Sequence, residues 1–189
     1  LPGEGDGFIP NPLRKAATKK NDPLWRIGDT YNASIGQGDT LATPLQIASY
    51  TAVFANRGTL FQPRVVELIN NPETVAVVAS FGPSIIRGDF LNERTIQIVR
   101  EGLRMAVTEG SARQLSALPV STAGKTGTAE TGRLNEAHAW FTGFAPYENP
   151  EIAITVLVER GGEGSSVAVP IAREIFEWYF GRATSTSVF

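Results

Sequence analysis

The sequence predicts an α/β fold of the α+β type, with an antiparallel sheet covered by helices on both faces. Three apolar segments lie near the end of the chain, and the links between them, 131–136 and 147–151, are short and rich in turn residues. Parallel neighbours need a long crossover, so short links predict antiparallel strands. The last of these segments, 152–159, is almost continuously apolar, which predicts helices on both faces.

The start of the chain, residues 1–42, is expected to form irregular loops. It is rich in Gly, Pro, Asn and Asp and has little hydrophobic periodicity. A helix is then predicted to begin at Thr43 and Pro44, because threonine is a good N-cap and proline fits the first helical turn. The helix is predicted to end at a glycine cap, Gly58.

The middle of the chain, 43–119, is expected to combine helices with short strands. Segments 60–70 and 75–81 are extended candidates bounded by Pro, Gly and Asn. Residues 92–108 form a clear amphipathic helical pattern, with apolar residues on one stripe and arginines off it. The stripe holds Ile96, Val99, Leu103 and Val107, and the arginines off it are Arg94, Arg100 and Arg104.

Residues 120–182 are expected to form a three-stranded antiparallel sheet and a closing helix. The strands are predicted at 120–130, 137–146 and 152–159. The closing helix is predicted at 170–179, with four apolar residues on its buried side: Ile171, Ile175, Phe176 and Trp178.

Composition excludes several classes of function. The 189 residues are 42% hydrophobic and 19% charged, which fits a globular chain and neither a disordered nor a membrane-spanning one. A net charge of -2 leaves no basic footprint for nucleic acid. With no cysteine, disulfides, zinc-thiolate sites and cysteine catalysis are excluded. The one histidine, His138, has strand-like neighbours that favour a packing role over general-base chemistry.

The segment 123–130, Ala-Gly-Lys-Thr-Gly-Thr-Ala-Glu, carries the most chemistry. On a strand, Thr126 and Thr128 point to one face and Lys125 points to the other. The two hydroxyls and the ammonium would therefore serve different sites on the two sides of the strand.

The segment has two alternative interpretations. A phosphate-binding loop is excluded, because it needs glycine five positions before the Gly-Lys pair, where Pro119 stands. An ordinary glycine-rich hairpin with a solvated lysine remains open on the tripeptide alone. Gly124 and Gly127, on the two sides of the lysine, would let another chain approach the backbone closely.

Five fragments of the chain, taken together, resemble one family, the penicillin-binding transpeptidases, and within it the class B enzymes of cell elongation. They follow the family's order over nearly the whole chain, at 1–4, 28–46, 125–130, 138–146 and 162–170. The family's Ser-x-x-Lys and Ser-x-Asn motifs do not occur in the sequence. The chain therefore resembles the C-terminal part of a serine β-lactamase/transpeptidase-like domain without its nucleophile, and we expect it to be inactive alone.

The resemblance implies roles for the strand motif. Lys125 would reach a serine of the family's second motif, and the backbone N–H of Thr128 would be one of two oxyanion donors. The hydroxyls of Thr126 and Thr128 would bind the terminal carboxylate of the substrate. The edge from Gly127 through Ala129 to Glu130 would pair with an extended peptide as an added strand. Elsewhere Gln37 and Asp39 are interpreted as loop hydrogen-bonding residues.

The resemblance also implies partners and a location. The substrate would be the D-Ala-D-Ala end of a peptidoglycan stem peptide, β-lactams would bind the same site, and no metal or organic cofactor is implied. The upstream part of the same domain would be a further partner, and an N-terminal anchor outside this chain would give the only membrane attachment, on the extracytoplasmic side of a bacterial cell membrane. A D,D-carboxypeptidase, a β-lactamase and a non-catalytic penicillin-sensing module remain alternatives.

Overall fold

The computed structural model describes residues 1–134 and 136–185, except for the side chains of 182–185. Within these ranges the helices and strands follow each other as α1 (Pro12–Thr18), α2 (Ile27–Ser34), α3 (Pro44–Ala55), β1 (Leu60–Phe61), β2 (Leu68–Asn70), β3 (Val77–Ser80), β4 (Ile85–Arg87), α4 (Glu93–Thr108), a short 3-10 helix (Arg113–Ala117), β5 (Ala123–Glu130), β6 (Ala137–Ala145), β7 (Ile152–Val158) and α5 (Gly164–Ser185).

The last three strands form one antiparallel sheet in the order β5–β6–β7, as the short links predict. The pairs Thr126–Phe141 and Phe141–Val156 fix the register across the sheet. Strand β6 is central, so within the described residues β5 and β7 each have one side without a strand partner.

Helices cover both faces of this sheet, which confirms the predicted layering. Phe141 of β6 packs with Ala172 and Phe176 of α5 in the larger buried cluster. Phe144 points to the opposite face and packs with Ala55 at the end of α3. The sheet is therefore a middle layer, with α5 on one side and α3 on the other.

Helix α3 begins and ends close to the predicted residues. Thr43 accepts the N–H of Gln46 at 3.2 Å, and the Gln46 side chain accepts the N–H of Thr43 at 3.0 Å, which is a capping box. At the other end Gly58 donates its N–H to the carbonyl of Val53 at 2.8 Å. Arg57, one residue earlier, already adopts a positive φ of 64°, so the turn uses both residues.

The expectation of irregular loops over 1–42 is wrong in two places, where α1 and α2 form. Asn11 caps α1 by accepting the N–H of Arg14 at 3.0 Å. In α2 the carboxylate of Asp29 accepts the N–H of Arg26 at 2.7 Å. Neither helix contains a buried residue. Hydrophobic periodicity misses such helices, because their ends are fixed by capping rather than by an apolar face.

The short strands between α3 and α4 form two separate antiparallel pairs, β1 with β4 and β2 with β3. The segments 60–70 and 75–81 are extended in part, as predicted, whereas β4 was not predicted. Its three residues, Ile-Ile-Arg, are too few to show an alternating pattern.

Helix α4 covers the predicted residues, but Arg100 does not lie on its solvent side. The side chain is only 1% exposed. Its guanidinium donates to the carbonyls of Phe54 at 2.7 Å and Ala55 at 3.0 Å, and also to the carbonyl of Tyr147. Burial, aided by the charge of Arg57, lowers the pKa of Arg100, yet arginine keeps its charge in proteins. The three carbonyl acceptors make this burial possible, and helical periodicity cannot predict them.

Helix α5 begins at Gly164 rather than at Pro170, which lies inside it. Phe176 is fully buried, as predicted. The other three residues assigned to the buried side are exposed: Ile171 by 39%, Ile175 by 36% and Trp178 by 60%. The buried stripe is built mainly from smaller residues that allow close packing on the sheet, namely Ala168, Val169 and Ala172.

Candidate active site

Strand β5 presents a free backbone edge on the side away from β6. The carbonyl of Thr126 accepts the ammonium of Lys125 at 2.6 Å, and the carbonyl of Thr128 accepts the side-chain amide of Gln37 at 2.8 Å. Both carbonyls therefore face this edge. The N–H and C=O of one strand residue point to the same side, so the N–H of Thr128 faces it as well.

Lys125 lies on the α3 face of β5. Its cross-strand neighbour is Thr142, whose hydroxyl is 2.6 Å from that of Thr51 in α3. The lysine side chain is exposed, and its ammonium donates to the neighbouring backbone carbonyl. Among the described residues no carboxylate forms an ion pair with Lys125, so its charge is open toward the free edge.

Thr126 and Thr128 lie on the opposite face, the one covered by α5, as predicted. The hydroxyl of Thr126 is 2.6 Å from that of Ser111, just beyond the end of α4. The hydroxyl of Thr128 accepts the N–H of Gly164 at 3.4 Å. The structure therefore brings the two threonines together and adds Ser111 and Gly164, whose contacts with the threonines the sequence does not predict.

Helix α5 begins in contact with the sheet. A Cβ at Gly164 would overlap the carbonyl oxygens of Gly127 and Trp140, so only glycine allows this approach. The N-terminus of an α-helix carries a partial positive charge that stabilises anions. The hydroxyl of Thr128 consequently lies where a negative charge is favoured.

Both glycines of the strand motif make room for side chains of β6. A Cβ at Gly124 would lie 2.5 Å from the ring of Phe141, and one at Gly127 would lie 3.1 Å from the Cβ of Trp140. Gly124 is itself buried. The expectation that these glycines admit a second chain is thus wrong for Gly124, because the phenylalanine ring fills the space.

Gln37 makes a hydrogen bond that sequence reasoning did not place. Its interpretation as a loop hydrogen-bonding residue is right in kind, but the acceptor, Thr128, is 91 residues away. Asp39 pairs with Lys19 at 3.0 Å, which agrees with a structural role. The only sequence hint for Gln37 is that a glycine precedes and follows it.

The loop that carries Gln37 belongs to a segment held together by charges. The ammonium of Lys15 lies 2.8 Å from Asp29 and 3.3 Å from Asp22. The hydrogen bond that the Lys15 ammonium donates to the Asp29 carboxylate raises the pKa of Lys15 and lowers the pKa of Asp29. These contacts join α1 to α2, so the segment has a defined shape without a buried core.

Lys125 and Thr128 of the β5 edge are exposed, and two cavities of the protein lie away from them. A cavity of about 480 Å³ lies elsewhere, between α3 and the β1–β4 pair, and its walls include Tyr50 and Phe61. A smaller one of about 170 Å³ lies next to Gln37 and the Lys15–Asp29 pair. The predicted residues of β5 line neither of these cavities.

Other candidate groups give no second site. The Nδ1 atom of His138 accepts the N–H of Arg160 at 3.0 Å, so the imidazole supports a turn, and Trp140 is half-buried. Within the described ranges no cluster of three or more His, Asp and Glu residues could hold a metal ion. No described helix has the length and apolar character needed to cross a membrane.

Comparison with known proteins gives a consistent result for nearly the whole chain. The penicillin binding protein transpeptidase domain matches residues 1–177. The peptidoglycan D,D-transpeptidase MrdA of Acinetobacter baumannii is 35% identical over an alignment 193 positions long, which covers 95% of this chain and 28% of that protein. The chain therefore spans little more than a quarter of the length of this relative.

Solved structures of the same class superpose on the fold. Penicillin-binding protein PBP2 of Helicobacter pylori, in its complex with MreC, has a TM-score of 0.73 at 33% identity, covering 95% of this chain and 32% of that one. Penicillin-binding protein A of M. tuberculosis, in an imipenem acyl-enzyme complex, has a TM-score of 0.72 at 33% identity, covering 80% of this chain and 34% of that one.

Proposed function

This chain belongs to the penicillin-binding protein transpeptidase family, and from that premise we propose that it is the C-terminal part of a peptidoglycan D,D-transpeptidase domain of the class B type. The reaction is acyl transfer. A serine attacks the carbonyl between two D-alanines of a stem peptide, D-alanine leaves, and an amine of a neighbouring strand takes the acyl group from the enzyme. The serine belongs to a part of the protein outside this chain.

The free edge of β5 is the observation that carries this proposal. An extended peptide adds to such an edge through main-chain hydrogen bonds to Thr128, with Gly127 and Ala129 beside it on the strand. The N–H of Thr128 then serves as one oxyanion donor, and the backbone N–H of the serine serves as the other. Loss of one such donor lowers the rate on the order of 100- to 1,000-fold in enzymes of this kind.

The α5 face of the strand supports a carboxylate site. The hydroxyls of Thr126 and Thr128 are two residues apart on one face, and the second of them contacts the start of α5 through Gly164. Hydrogen bonds to a charged carboxylate contribute roughly 1.5–3 kcal/mol each. We assign these two hydroxyls to the terminal carboxylate of the peptide, or to the corresponding group of a β-lactam.

Lys125 supplies the charge on the other face. Its ammonium contacts only a backbone carbonyl among the described groups and is exposed. In the complete domain it reaches a serine of the second motif, where a nearby cation lowers the cost of proton transfer. No metal or organic cofactor takes part in this chemistry.

The proposal extends to partners and a location, with the family as its support. The substrate is the D-Ala-D-Ala end of a stem peptide, and β-lactams acylate the same serine, as in the imipenem acyl-enzyme of the M. tuberculosis relative. The upstream part of the domain packs with this chain and supplies the serine. We place the domain on the extracytoplasmic side of a bacterial cell membrane, tethered by an N-terminal anchor.

The test is covalent labelling of the complete protein by a fluorescent penicillin. We expect the wild-type protein to be labelled, Lys125→Ala to lower the labelling rate on the order of 100-fold or more, and Lys20→Ala to leave it unchanged. Lys20 is the matched control, because it is an exposed lysine outside the described ion pairs. An unlabelled, folded wild-type protein would favour a non-catalytic module, and rapid turnover of penicillin would favour a β-lactamase or carboxypeptidase.

A further inference from the structure

We propose, building on the function above, that Gln37 is a positioning residue for the oxyanion site. Its side-chain amide holds the Thr128 carbonyl at the free edge of β5, and thereby fixes the direction of the Thr128 N–H before a substrate binds. The amide contacts no reacting atom and acts through the strand backbone.

The bond itself has one reasonable assignment. The carbonyl of Thr128 can only accept, so the amide nitrogen of Gln37 is the atom that faces it, at 2.8 Å. Among the described residues no other side-chain hydrogen bond joins residues 8–41 to the three-stranded sheet. This one hydrogen bond therefore defines where residues 8–41 meet β5.

The loop around Gln37 is shaped to present the side chain. Gly36 and Gly38 adopt positive φ angles of 75° and 74°, which only glycine accepts readily. The N–H of Gln37 donates to the carbonyl of Asn32 at 2.9 Å. Both the backbone and the side-chain amide of Gln37 are therefore held by hydrogen bonds. This is expected of a residue that fixes the position of the Thr128 carbonyl.

Thr128 is held at two points by groups from outside its strand. Gln37 donates to its carbonyl, and Gly164 donates to its hydroxyl at 3.4 Å. A strand residue held on one edge and on one face has little freedom to rotate, so its N–H keeps a single direction. Donors that are oriented in advance stabilise an oxyanion more than donors that must reorient.

The experiment compares three variants of the complete protein in rapid acylation by a fluorescent penicillin. Gln37→Ala removes the amide, and Gln37→Glu keeps its size but has no donor when ionised. Gln97→Ala is the matched control, because Gln97 is an exposed glutamine on α4 whose amide, among the described residues, bonds only to Glu101 at 2.8 Å. The rate is measured against penicillin concentration, which separates the limiting acylation rate from the half-saturating concentration.

We expect both Gln37 variants to lower the limiting acylation rate about 3- to 10-fold, with a half-saturating concentration within about twofold of wild type. Amide exchange measured by mass spectrometry should become faster across 126–130 and stay unchanged across β6. The control variant should match wild type in all three measurements.

The outcomes separate the two proposals. If the wild-type protein is not labelled, the proposed function fails and this inference falls with it. If wild type is labelled and the Gln37 variants acylate at the wild-type rate, the function stands and the inference is wrong. If the Gln37 variants label to a smaller fraction, and the labelled fraction acylates at the wild-type rate, Gln37 has a merely structural role. That outcome would also overturn the inference.

Discussion

Residues 1–42 and residues 120–181 are held in place by different forces. In the first region no residue is buried, and ion pairs and caps hold two short helices. In the second, large side chains such as Phe141, Phe144 and Phe176 are completely buried between a sheet and its helices. Strand β5 therefore belongs to a sheet with an apolar core, while its free edge is contacted by Gln37 from the polar region 1–42. Stability and edge geometry should therefore respond to different substitutions.

The largest expected effect is on the free energy of unfolding, when one aromatic side chain in each region is replaced by alanine. Phe141→Ala should lower the free energy of unfolding by about 3–5 kcal/mol, because it leaves a cavity at the centre of the sheet. Tyr31→Ala in α2 should change it by less than about 0.5 kcal/mol, because that ring is 64% exposed. Urea unfolding of both variants checks this, and equal losses would mean that the two regions share one core.

A pair of glycine substitutions probes the junction between α5 and the sheet. Gly164→Ala should destabilise the protein by about 1–3 kcal/mol, since a Cβ there overlaps two carbonyl oxygens. Gly102→Ala in α4 should stabilise it by about 0.5–1 kcal/mol, because its surroundings are open and alanine favours the helix. Thermal unfolding gives both signs; a neutral Gly164→Ala would contradict the tight start of α5.

The smallest expected change in stability concerns the ion pairs of the polar region. Lys15 lowers the pKa of Asp29 below its ordinary 3.8, so the stabilisation is present at neutral pH and is lost as the pH falls through that lowered value. The pKa of Lys15 is raised, so the same contact is also lost in strong alkali, above its ordinary 10.5. Lys15→Met should remove the part of this pH dependence that the Lys15–Asp29 contact causes, while the part that the Arg26 N–H causes stays.

Amide protection factors, corrected for the intrinsic exchange rate at each pH, measure this effect in α1 and α2. They should fall in acid for the wild-type protein and already be low at neutral pH for Lys15→Met. Strand β6 should be unaffected in both. Lys20→Met is the control, and an equal loss of protection in that variant would show that general charge, rather than the Lys15 pairs, holds the segment.

The sheet and its covering helices could be predicted because they are amphipathic or continuously apolar. The short links at 131–136 and 147–151 were sufficient to give antiparallel order. The prediction of buried residues failed where a charged residue is buried or an apolar residue is exposed. Arg100 is buried because backbone acceptors surround it, and Ile171 and Trp178 are exposed because smaller residues of α5 face the sheet.

Of the candidate site, the strand motif could be predicted and its surroundings could not. Alternation along a strand places Lys125 opposite Thr126 and Thr128 without any knowledge of the fold. Contacts such as those of Gln37 and Gly164 with Thr128 depend on how distant segments pack. A single sequence carries no signal for contacts of that range.

The buried guanidinium of Arg100 has a consequence for protein engineering. It joins the last turn of α3, helix α4 and the turn after β6 through three backbone carbonyls, so these pieces do not form interchangeable modules. A graft that transfers α4 into another scaffold must bring those acceptors with it, or replace the arginine by an apolar residue. A circular permutation that opens the chain at Tyr147 would break the same connection.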